Sequence, residues 1–275
     1  MAKNEKSVPS RNLFEIFLES KKSMQSNDPE KGYNGITMLI VGGSNRGKTT
    51  LLTELLSRVY SDDLRIAGKQ YLTCLFTESS QSDALKKLEK QKNVVIVPGM
   101  DLDIISFFYN QNMTYGKTKV GYSPIIVMDD ILELRYESVI QKLFCIYRNM
   151  NITSIVSVQH ANLIPRSIRG SVYYQIIFPS NNAANNEDVC RAFLWSYLEG
   201  RNVVEKMKSF FTWTSKSYHC FFVDNLEHKC YKVDANRNCI ELKMVLHQED
   251  SGYDHISSDS DSEEEFSSDL FESDE

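Results

Sequence analysis

The stretch GGSNRGKT, residues 42–49, has the residue types and spacing of a phosphate-binding loop, here called the P-loop. Its glycines let backbone N–H groups curl around an anion, and a following helix adds unpaired donors. The pattern Gly-x-x-x-x-Gly-Lys-Thr offers Lys48 to the β- and γ-phosphates of a nucleotide and Thr49 to Mg²⁺. The predicted nucleotide-binding residues are Gly42, Gly43, Ser44, Asn45, Arg46, Gly47, Lys48, Thr49 and Thr50.

A second anchor for the metal is predicted where the apolar run PIIVMDDI reaches Asp129 and Asp130. In open parallel sheets, ligands sit at the carboxyl ends of strands, which is where these acids would lie. We expect Asp129 to hold Mg²⁺, directly or through water. Asp130 is placed to orient or deprotonate the attacking water. Adjacent acids also occur in ordinary turns and helix caps, but the upstream P-loop favours the functional interpretation.

The next apolar run, ITSIVSVQ, ends at Gln159. An amide at this position can donate to the γ-phosphate and accept from the lytic water, so Gln159 is predicted to be a sensor of the nucleotide. The alternative is a glutamine that bonds only to local backbone.

Arginine side chains can stabilise the charge that builds on the phosphates in the transition state. The candidates are Arg46, Arg148, Arg166 and Arg169. We favour Arg169 as a finger that reaches a neighbouring subunit, and Arg148 is the second choice. Arg46 could act within its own chain. Any one of these residues could instead be an ordinary surface arginine.

Apolar runs that alternate with helical stretches must position these groups. Runs without polar alternation are typical of strands buried on both faces, so the pattern predicts an α/β fold with a mainly parallel sheet between helices. The predicted strands are 37–42, 71–77, 93–99, 124–130, 152–159 and 173–179. The predicted helices are 13–22, 48–60, 81–91, 101–111, 133–149, 185–200 and 203–212. The segment SYHCFFVDNLEHKCYKVDA predicts a C-terminal β-hairpin around the turn DNLE.

Two strand-like runs separate the P-loop strand from the acidic strand. This spacing favours the ATPase branch of P-loop proteins, which has an inserted strand and an added catalytic acid. A GTPase would need Asn/Thr-Lys-x-Asp to recognise guanine. The nearest match, Tyr231-Lys232-Val233-Asp234, has the wrong first residue and lies in the predicted hairpin. The predicted cofactors are therefore ATP and Mg²⁺.

Charge is distributed unevenly along the 275 residues. Residues 248–275 hold twelve of the 37 acidic residues and none of the 31 basic ones, so the remainder carries 31 basic against 25 acidic residues, a net +6. The acidic segment has few large apolar groups and is predicted to be disordered. The predicted domains are an N-terminal helix and linker, 1–33, a P-loop ATPase domain, 34–247, and the acidic tail, 248–275.

Membrane insertion and secretion are not expected. No apolar run approaches the roughly 18 residues of a membrane span, and the N-terminal stretch is charged where a signal peptide needs an apolar core. The six scattered cysteines form no Cys-x-x-Cys pair and indicate reduced thiols in an intracellular protein. A zinc site built from His219, Cys220, His228 and Cys230 is disfavoured, because alternate hairpin residues point to opposite faces.

The order of these parts resembles the FtsK/HerA superfamily of P-loop ATPases. Within it, the chain resembles the DNA-packaging ATPases of poxviruses, other large eukaryotic DNA viruses, virophages and Polinton-like elements. The stretches that carry the resemblance, which spans about residues 37–235, are LIVGGSNRGKTTLL, PIIVMDDI, RNMNITSIVSVQHANLIPRSIRGSVYYQIIF and CFFVDNLEHKCYKVD. The sequence departs from many relatives at Asp130, where glutamate is common, and at Asn45-Arg46, where small residues are common.

The resemblance implies a RecA-like core that hydrolyses ATP and drives double-stranded DNA through a homo-oligomeric ring of five or six subunits into a preformed capsid. By position it implies Lys48 and Thr49 as the P-loop residues, Asp129 as the metal-binding acid and Asp130 as the second acid. It also implies Gln159 as the sensor and Arg169 as the trans arginine. Expected partners are DNA and a capsid or portal-vertex protein, without a membrane, at intracellular sites of virion assembly in the host cytoplasm or nucleus.

Two other functions stay open at this point. One is an ATP-dependent switch or scaffold with little turnover, which the shorter acid Asp130 favours. The other is a different P-loop enzyme, such as a helicase or a nucleoside kinase. A chain of this length shows no helicase accessory domain, and no arginine-rich lid of the kind that a kinase closes over its acceptor is visible.

Overall fold

The computed structural model describes residues 11–23, 34–61, 65–66, 69–78, 82–116, 119–130 and 137–242. The predicted acidic tail, 248–275, and most of the predicted linker lie outside the described residues. Within the described residues, no helix is both long and apolar enough to cross a bilayer.

One mixed sheet organises the described chain. Along the sheet the strand order is β1-β11-β10-β9-β8-β2-β7-β6-β4-β3, and β5 also pairs with β4. The strands are β1 Arg11–Asn12, β2 Thr37–Val41, β3 Arg65–Ile66, β4 Lys69–Thr77, β5 Val94–Pro98, β6 Tyr122–Asp129, β7 Thr153–Val158, β8 Tyr174–Ile177, β9 Cys220–Asp224, β10 Lys229–Val233 and β11 Asn238–Leu242.

The centre of this sheet is parallel, as the apolar runs predicted. Strand β2 pairs in parallel with both β7 and β8, and β6 pairs in parallel with β7 and β4. Strand β7 therefore lies between the P-loop strand and the acidic strand β6, which confirms the inserted strand. The predicted α/β fold class is confirmed.

Helices cover both faces of the sheet. They are α1 Leu13–Ser23, α2 Lys48–Val59, α3 Asp83–Leu88, α4 Leu102–Tyr115, α5 Glu137–Cys145, α6 Arg166–Arg169, α7 Ala183–Val189 and α8 Val203–Thr214. Alternate residues of β2 face two separate cores, because successive side chains of a strand point to opposite faces. Met38 and Ile40 join the core formed with α1, α2 and α3, whereas Leu39 and Val41 join the core formed with α4, α5, α7 and α8.

Polar side chains fix where four of these helices begin. Ser82, Asp101, Asn182 and Asn202 each accept a backbone N–H from the first turn of α3, α4, α7 and α8, respectively. Such caps satisfy donors that have no partner inside the helix, and each stabilises its helix by about 1 kcal/mol.

Two long helical predictions are shortened or interrupted. The predicted helix 133–149 is observed as α5, followed by a separate 3₁₀ turn at Tyr147–Met150 that ends at Asn151 with a φ of 62°. The predicted helix 185–200 begins as α7 and continues as a π-helical turn, Cys190–Leu194.

The C-terminal hairpin is confirmed but is part of a larger antiparallel extension. Strands β9 and β10 pair around the predicted turn, and β11 and β1 then add to the same side of the sheet. Neither added strand was predicted. Strand β1 has two residues, and β11 carries polar residues that do not produce an apolar run.

An aromatic cluster attaches α1 to this extension. The ring of Phe17 lies 5.1 Å from the ring of Tyr174 and 5.0 Å from that of Phe222, in edge-to-face arrangements. The Phe222 ring stacks at 5.6 Å on Tyr231. All four side chains are buried. These rings bury a large apolar area at the junction of the parallel and antiparallel parts of the sheet.

We predict that Phe17→Ala lowers the free energy of unfolding by about 3–5 kcal/mol, because it leaves a cavity in this cluster. Chemical denaturation would measure the change. The matched control is Phe107→Ala on α4, whose side chain is 53% exposed, with an expected cost below about 1 kcal/mol. Equal losses in the two variants would contradict the assignment of Phe17 to the core.

Candidate functional site

The P-loop packs closely against the segment that follows β8. A Cβ added at Gly42 would lie 2.5 Å from Phe178 Cβ, and one at Gly43 would lie 2.9 Å from Ser180 Cα. The backbone N–H of Gly42 donates to the Val158 carbonyl at 3.0 Å. The two glycines are therefore required by the close approach of three chain segments.

The loop ends at Gly47, whose φ of 101° and ψ of 16° lie in the left-handed region. Helix α2 begins at the next residue, so its first backbone N–H groups face the loop without partners inside the helix. Lys48 is 4% exposed, and its Nζ donates to the Gly43 carbonyl at 3.4 Å. The same Nζ lies 3.5 Å from Asp130 Oδ2. A buried cation and a helix N-terminus thus meet in one concave loop.

Thr49 and Asp129 meet beside the loop. Thr49 Oγ1 donates to Asp129 Oδ2 at 3.0 Å, and Asp129 is 2% exposed. Asp129 Oδ1 and the hydroxyl of Ser157 are both buried with no hydrogen-bond partner among the described residues. Hard oxygen donors of this kind suit Mg²⁺, and the unpartnered carboxylate oxygen has capacity for one more ligand or a metal-bound water. The residues present therefore fit the predicted metal.

Burial raises the pKa of Asp129, and the neighbouring Asp130 carboxylate raises it further. The nearby hydroxyls of Ser157 and Thr49 and the charge of Lys48 oppose this rise. The Ser157 hydroxyl acts by proximity, because it makes no hydrogen bond of regular geometry. A carboxylate that is desolvated in this way gains stability when a cation binds beside it.

Gln159 bridges the P-loop and the acidic strand. Its Oε1 accepts from Ser44 Oγ at 3.0 Å, and its Nε2 donates to Asp130 Oδ2 at 3.4 Å. Asp130 has a φ of 56°, and its N–H donates to the Ser157 carbonyl at 3.1 Å. The carboxylate of Asp130 therefore lies between Lys48 and Gln159.

A run of asparagines, which the sequence analysis did not single out, supports these groups. Asn185 Nδ2 donates to the Gln159 carbonyl at 3.3 Å. Asn186 accepts from the Ser180 N–H at 2.6 Å and donates to the Ser180 carbonyl at 2.9 Å. Asn181 Oδ1 accepts from Arg46 at 2.5 Å. The four asparagines within residues 181–186, shortly after the predicted strand 173–179, were the signal in the sequence that could have indicated these supporting residues.

The arginine candidates lie in different places. Arg46 is part of the P-loop. Arg148 lies at the amino ends of the strands, opposite the P-loop edge, because its carbonyl accepts from the Gly35 N–H and its guanidinium donates to the Ser171 carbonyl at 3.4 Å. The Arg148 guanidinium also lies over the ring of Tyr173. The structure does not bring Arg148 to the P-loop of its own chain.

Arg169 is tethered within its own chain. Its guanidinium donates to the Ala161 carbonyl at 3.1 Å and to the Ile164 carbonyl at 3.1 and 3.2 Å, and it lies over the ring of Phe193. Burial, followed by the nearby Arg166, lowers the pKa of Arg169. These bonds hold the loop that follows Gln159, so Arg169 has a structural contact in addition to any role between subunits.

A cavity of about 470 Å³ lies between the P-loop, Asp130 and Gln159. The described residues that line it are Ser44, Asn45, Gly47, Lys48, Thr49, Thr50, Ser82, Ala84, Asp130, Gln159 and Tyr218. Its volume is within the usual range for small-molecule sites. Tyr218 comes from the loop before β9 and was not predicted. No cluster of three or more His, Cys, Asp or Glu that could hold a metal occurs in the part of the chain described above.

Comparisons with known proteins give distant similarities. No protein-family model matches the chain. Uncharacterized protein 075L of Invertebrate iridescent virus 6 is 25% identical over 244 residues, which cover 81% of this chain and 87% of that protein.

Two solved structures are similar at low sequence identity. The genome packaging NTPase B204 from Sulfolobus turreted icosahedral virus 2, in complex with sulfate, has a TM-score of 0.49 and 13% identity, over 80% of this chain and 98% of that one. ATPases 2 and 3 of EssC from Geobacillus thermodenitrificans have a TM-score of 0.49 and 10% identity, over 76% of this chain and 39% of that one. Both TM-scores lie below 0.5.

We predict that Asp129→Asn stabilises the ligand-free protein at pH 7 but not at pH 4. The pKa of Asp129 is raised in the folded state, so the folded protein holds this proton more tightly and loses stability as pH rises above the ordinary aspartate pKa. Asparagine removes that cost at neutral pH. Denaturant unfolding without Mg²⁺ at both pH values measures the difference in the free energy of unfolding. A variant that is less stable than wild type at pH 7 would contradict the prediction.

We predict that Arg169→Ala lowers the free energy of unfolding by about 1–3 kcal/mol, because the Ala161 and Ile164 carbonyls lose a charged donor. Thermal denaturation would measure this loss. The matched control is Arg191→Ala, whose side chain is 54% exposed in an i,i+4 pair with Glu187, with an expected cost of about 0.5 kcal/mol or less. An unchanged stability in Arg169→Ala would show that the tether contributes nothing.

Proposed function

We propose that this chain is a Mg²⁺-dependent ATPase whose hydrolysis drives double-stranded DNA into a viral capsid during virion assembly. The observation that carries the ATPase part is that Lys48, Thr49, Asp130 and Gln159 line one cavity at the carboxyl ends of β2, β6 and β7. Asp129 joins this group through its hydrogen bond with Thr49. The DNA-packaging part is supported by the resemblance of the sequence motifs.

Phosphate binding follows from the loop and helix. Lys48 is fixed by the Gly43 carbonyl, and its buried charge attracts an anion in an environment of low dielectric. The N-terminus of α2 adds N–H donors directed at the same position. We propose that residues 42–50 hold the β- and γ-phosphates of ATP.

Thr49 and Asp129 would hold Mg²⁺, which would neutralise charge on the phosphates when bound. Their hydrogen bond orients both oxygens toward the loop before a ligand arrives. The buried, unpartnered Asp129 Oδ1 adds capacity for one water of the metal.

We propose that Asp130 orients or deprotonates the attacking water, and that Gln159 senses the γ-phosphate. Asp130 contacts Lys48 at 3.5 Å and Gln159 at 3.4 Å. A triphosphate would compete with Asp130 for Lys48 and so release the carboxylate toward water. Gln159 would then exchange its bonds to Ser44 and Asp130 for contacts with phosphate and water, which couples the loop to the occupancy of the site.

We propose two alternatives for the arginine that stabilises the transition state: one acts in trans on a neighbouring subunit, and the other acts in cis. Arg169 can act in trans on a neighbouring subunit only after it gives up its bonds to the Ala161 and Ile164 carbonyls. Arg46 already belongs to the P-loop, where its guanidinium donates to Asn181. Arg46 can therefore act in cis, on the nucleotide of its own chain. Arg148 could act only on a neighbour, since it lies at the opposite edge of the sheet.

The remaining proposals rest on sequence. We propose residues 34–247 as the ATPase domain of a ring of five or six subunits, with DNA and a capsid or portal-vertex protein as partners. The net charge of +6 outside the acidic segment is compatible with DNA binding. Assembly would take place inside the host cell, in the cytoplasm or nucleus.

A nucleotide-dependent switch with slow turnover is the second candidate. One observation favours it: Asp130 is held by Lys48 and Gln159, and these contacts would have to break before its carboxylate could activate water. Slow turnover that DNA does not raise would support this candidate over the motor.

We predict that Lys48→Ala lowers ATP turnover by about 10²–10³-fold, because a preorganised donor to the developing charge is lost. Steady-state hydrolysis with and without long double-stranded DNA is the measurement, and the motor predicts that DNA raises wild-type turnover. Lys142→Ala, at an exposed position of α5, is the matched control and should keep full activity. Equal turnover in wild type and Lys48→Ala would reject the proposed site.

We predict that Asp130→Asn lowers turnover by about 10²–10⁴-fold while ATP binding is kept, since it removes the proposed base but not the phosphate contacts. Calorimetric titration with ATP and Mg²⁺ separates binding from hydrolysis. Undiminished hydrolysis in this variant would assign activation of the water to another group.

A further inference from the structure

We propose that Tyr218 is the surface on which the base of the bound nucleotide stacks, and that an Arg237–Glu54 ion pair positions it. This inference rests on the proposed nucleotide site and deepens it. Tyr218 lies in the loop between α8 and β9, far in sequence from the P-loop, yet it lines the same cavity.

The ring of Tyr218 touches the backbone of the P-loop. A Cβ added at Gly47 would lie 2.4 Å from Tyr218 Cδ1 and 2.9 Å from its Cε1, so no larger residue fits at position 47 with the ring in place. The side chain nevertheless stays 44% exposed. One part of the ring thus packs against the loop, and the rest is open to a ligand.

The residue types that line the cavity favour the aromatic base of a nucleotide as the partner of the Tyr218 ring. Among the described lining residues, Tyr218 is the single aromatic one, and the others are small or polar. Thr50, on the first turn of α2, lines the same cavity. A nucleotide with its phosphates at Lys48 would place its flat base beyond the phosphates in the same cavity. There the exposed part of the Tyr218 ring offers a stacking partner.

The backbone of Tyr218 is held in a costly conformation. Its φ is 64°, which is rare for a bulky residue, and such conformations persist where the surroundings over-determine them. Arg237 Nη1 donates to the Tyr218 carbonyl at 3.3 Å, and Arg237 Nε donates to Glu54 Oε2 at 2.8 Å. Arg237 is 4% exposed.

This ion pair connects the Tyr218 loop to the P-loop helix. Glu54 lies on α2, which begins in the P-loop, and the Arg237 carbonyl accepts from the Leu13 N–H at 2.8 Å. The backbone of Tyr218 is therefore tied to the helix that follows the phosphate-binding loop. Arg237 and Glu54 are positioning residues, because they act on the ligand through Tyr218.

The test compares a ligand that has a base with one that lacks it. Calorimetry with the full chain and Mg²⁺ measures the Kd for ATP and for inorganic tripolyphosphate. We expect Tyr218→Ala to weaken ATP binding by about fivefold to 150-fold, as loss of one stacked aromatic partner does, and to leave tripolyphosphate binding unchanged. Tyr218→Phe should keep both affinities. Tyr115→Ala, at an exposed aromatic of α4, is the matched control.

Glu54→Gln tests the positioning role. It keeps the size of the side chain but weakens its bond to Arg237, so we expect ATP binding to weaken by a smaller factor than in Tyr218→Ala, again without an effect on tripolyphosphate. A purely structural role of the ion pair would weaken both ligands equally.

Several outcomes would overturn the inference. Equal weakening of ATP and tripolyphosphate in Tyr218→Ala would mean that the ring only supports the P-loop, and an unchanged ATP affinity would mean that it does not contact the base. In both cases the proposed function would stand if Lys48→Ala abolished the binding of ATP and tripolyphosphate. A wild-type chain that binds neither ligand would reject the proposed function and this inference together.

Discussion

The in-register pairing of β2 with β7, and of β7 with β6, is the constraint on which the candidate site depends. Val41 pairs with Val158, and Asp129 pairs with Ser157, so these strands end at one edge of the sheet. The residues that follow them are the P-loop, Gln159 and Asp130. A slip of one residue would turn every side chain of a strand to the opposite face and separate the acids from the lysine.

That edge places two charged side chains away from water. Lys48 and Asp129 are both nearly fully buried, and the cost of removing a carboxylate from water appears in the raised pKa of Asp129. Partial pairing through Asp130 and Thr49 offsets part of this cost. An anion beside Lys48 and a cation beside Asp129 would each compensate a buried charge, which is a physical basis for binding both together.

Local patterns made part of this arrangement predictable. The central strands and the P-loop are contiguous runs whose periodicity and glycine spacing are visible in the sequence, and Asp129 and Gln159 were found because each follows such a run. The Arg237–Glu54 pair, the Tyr218 ring against Gly47 and the Asn185 bond to Gln159 join distant segments. No local signal reports such contacts, and the internal bonds of Arg169 were hidden for the same reason.

The pairing of β1 with β11 has a consequence for synthesis on the ribosome. Arg11 pairs with Cys239, so β1 finds its partner only after every residue between these two has been synthesised. Until then, the apolar face of α1, including Phe14 and Phe17, has no completed sheet to cover it. Docking of α1 on the completed sheet thus depends on contacts of long sequence separation, which form late, and its apolar side chains would have to be shielded in another way until then.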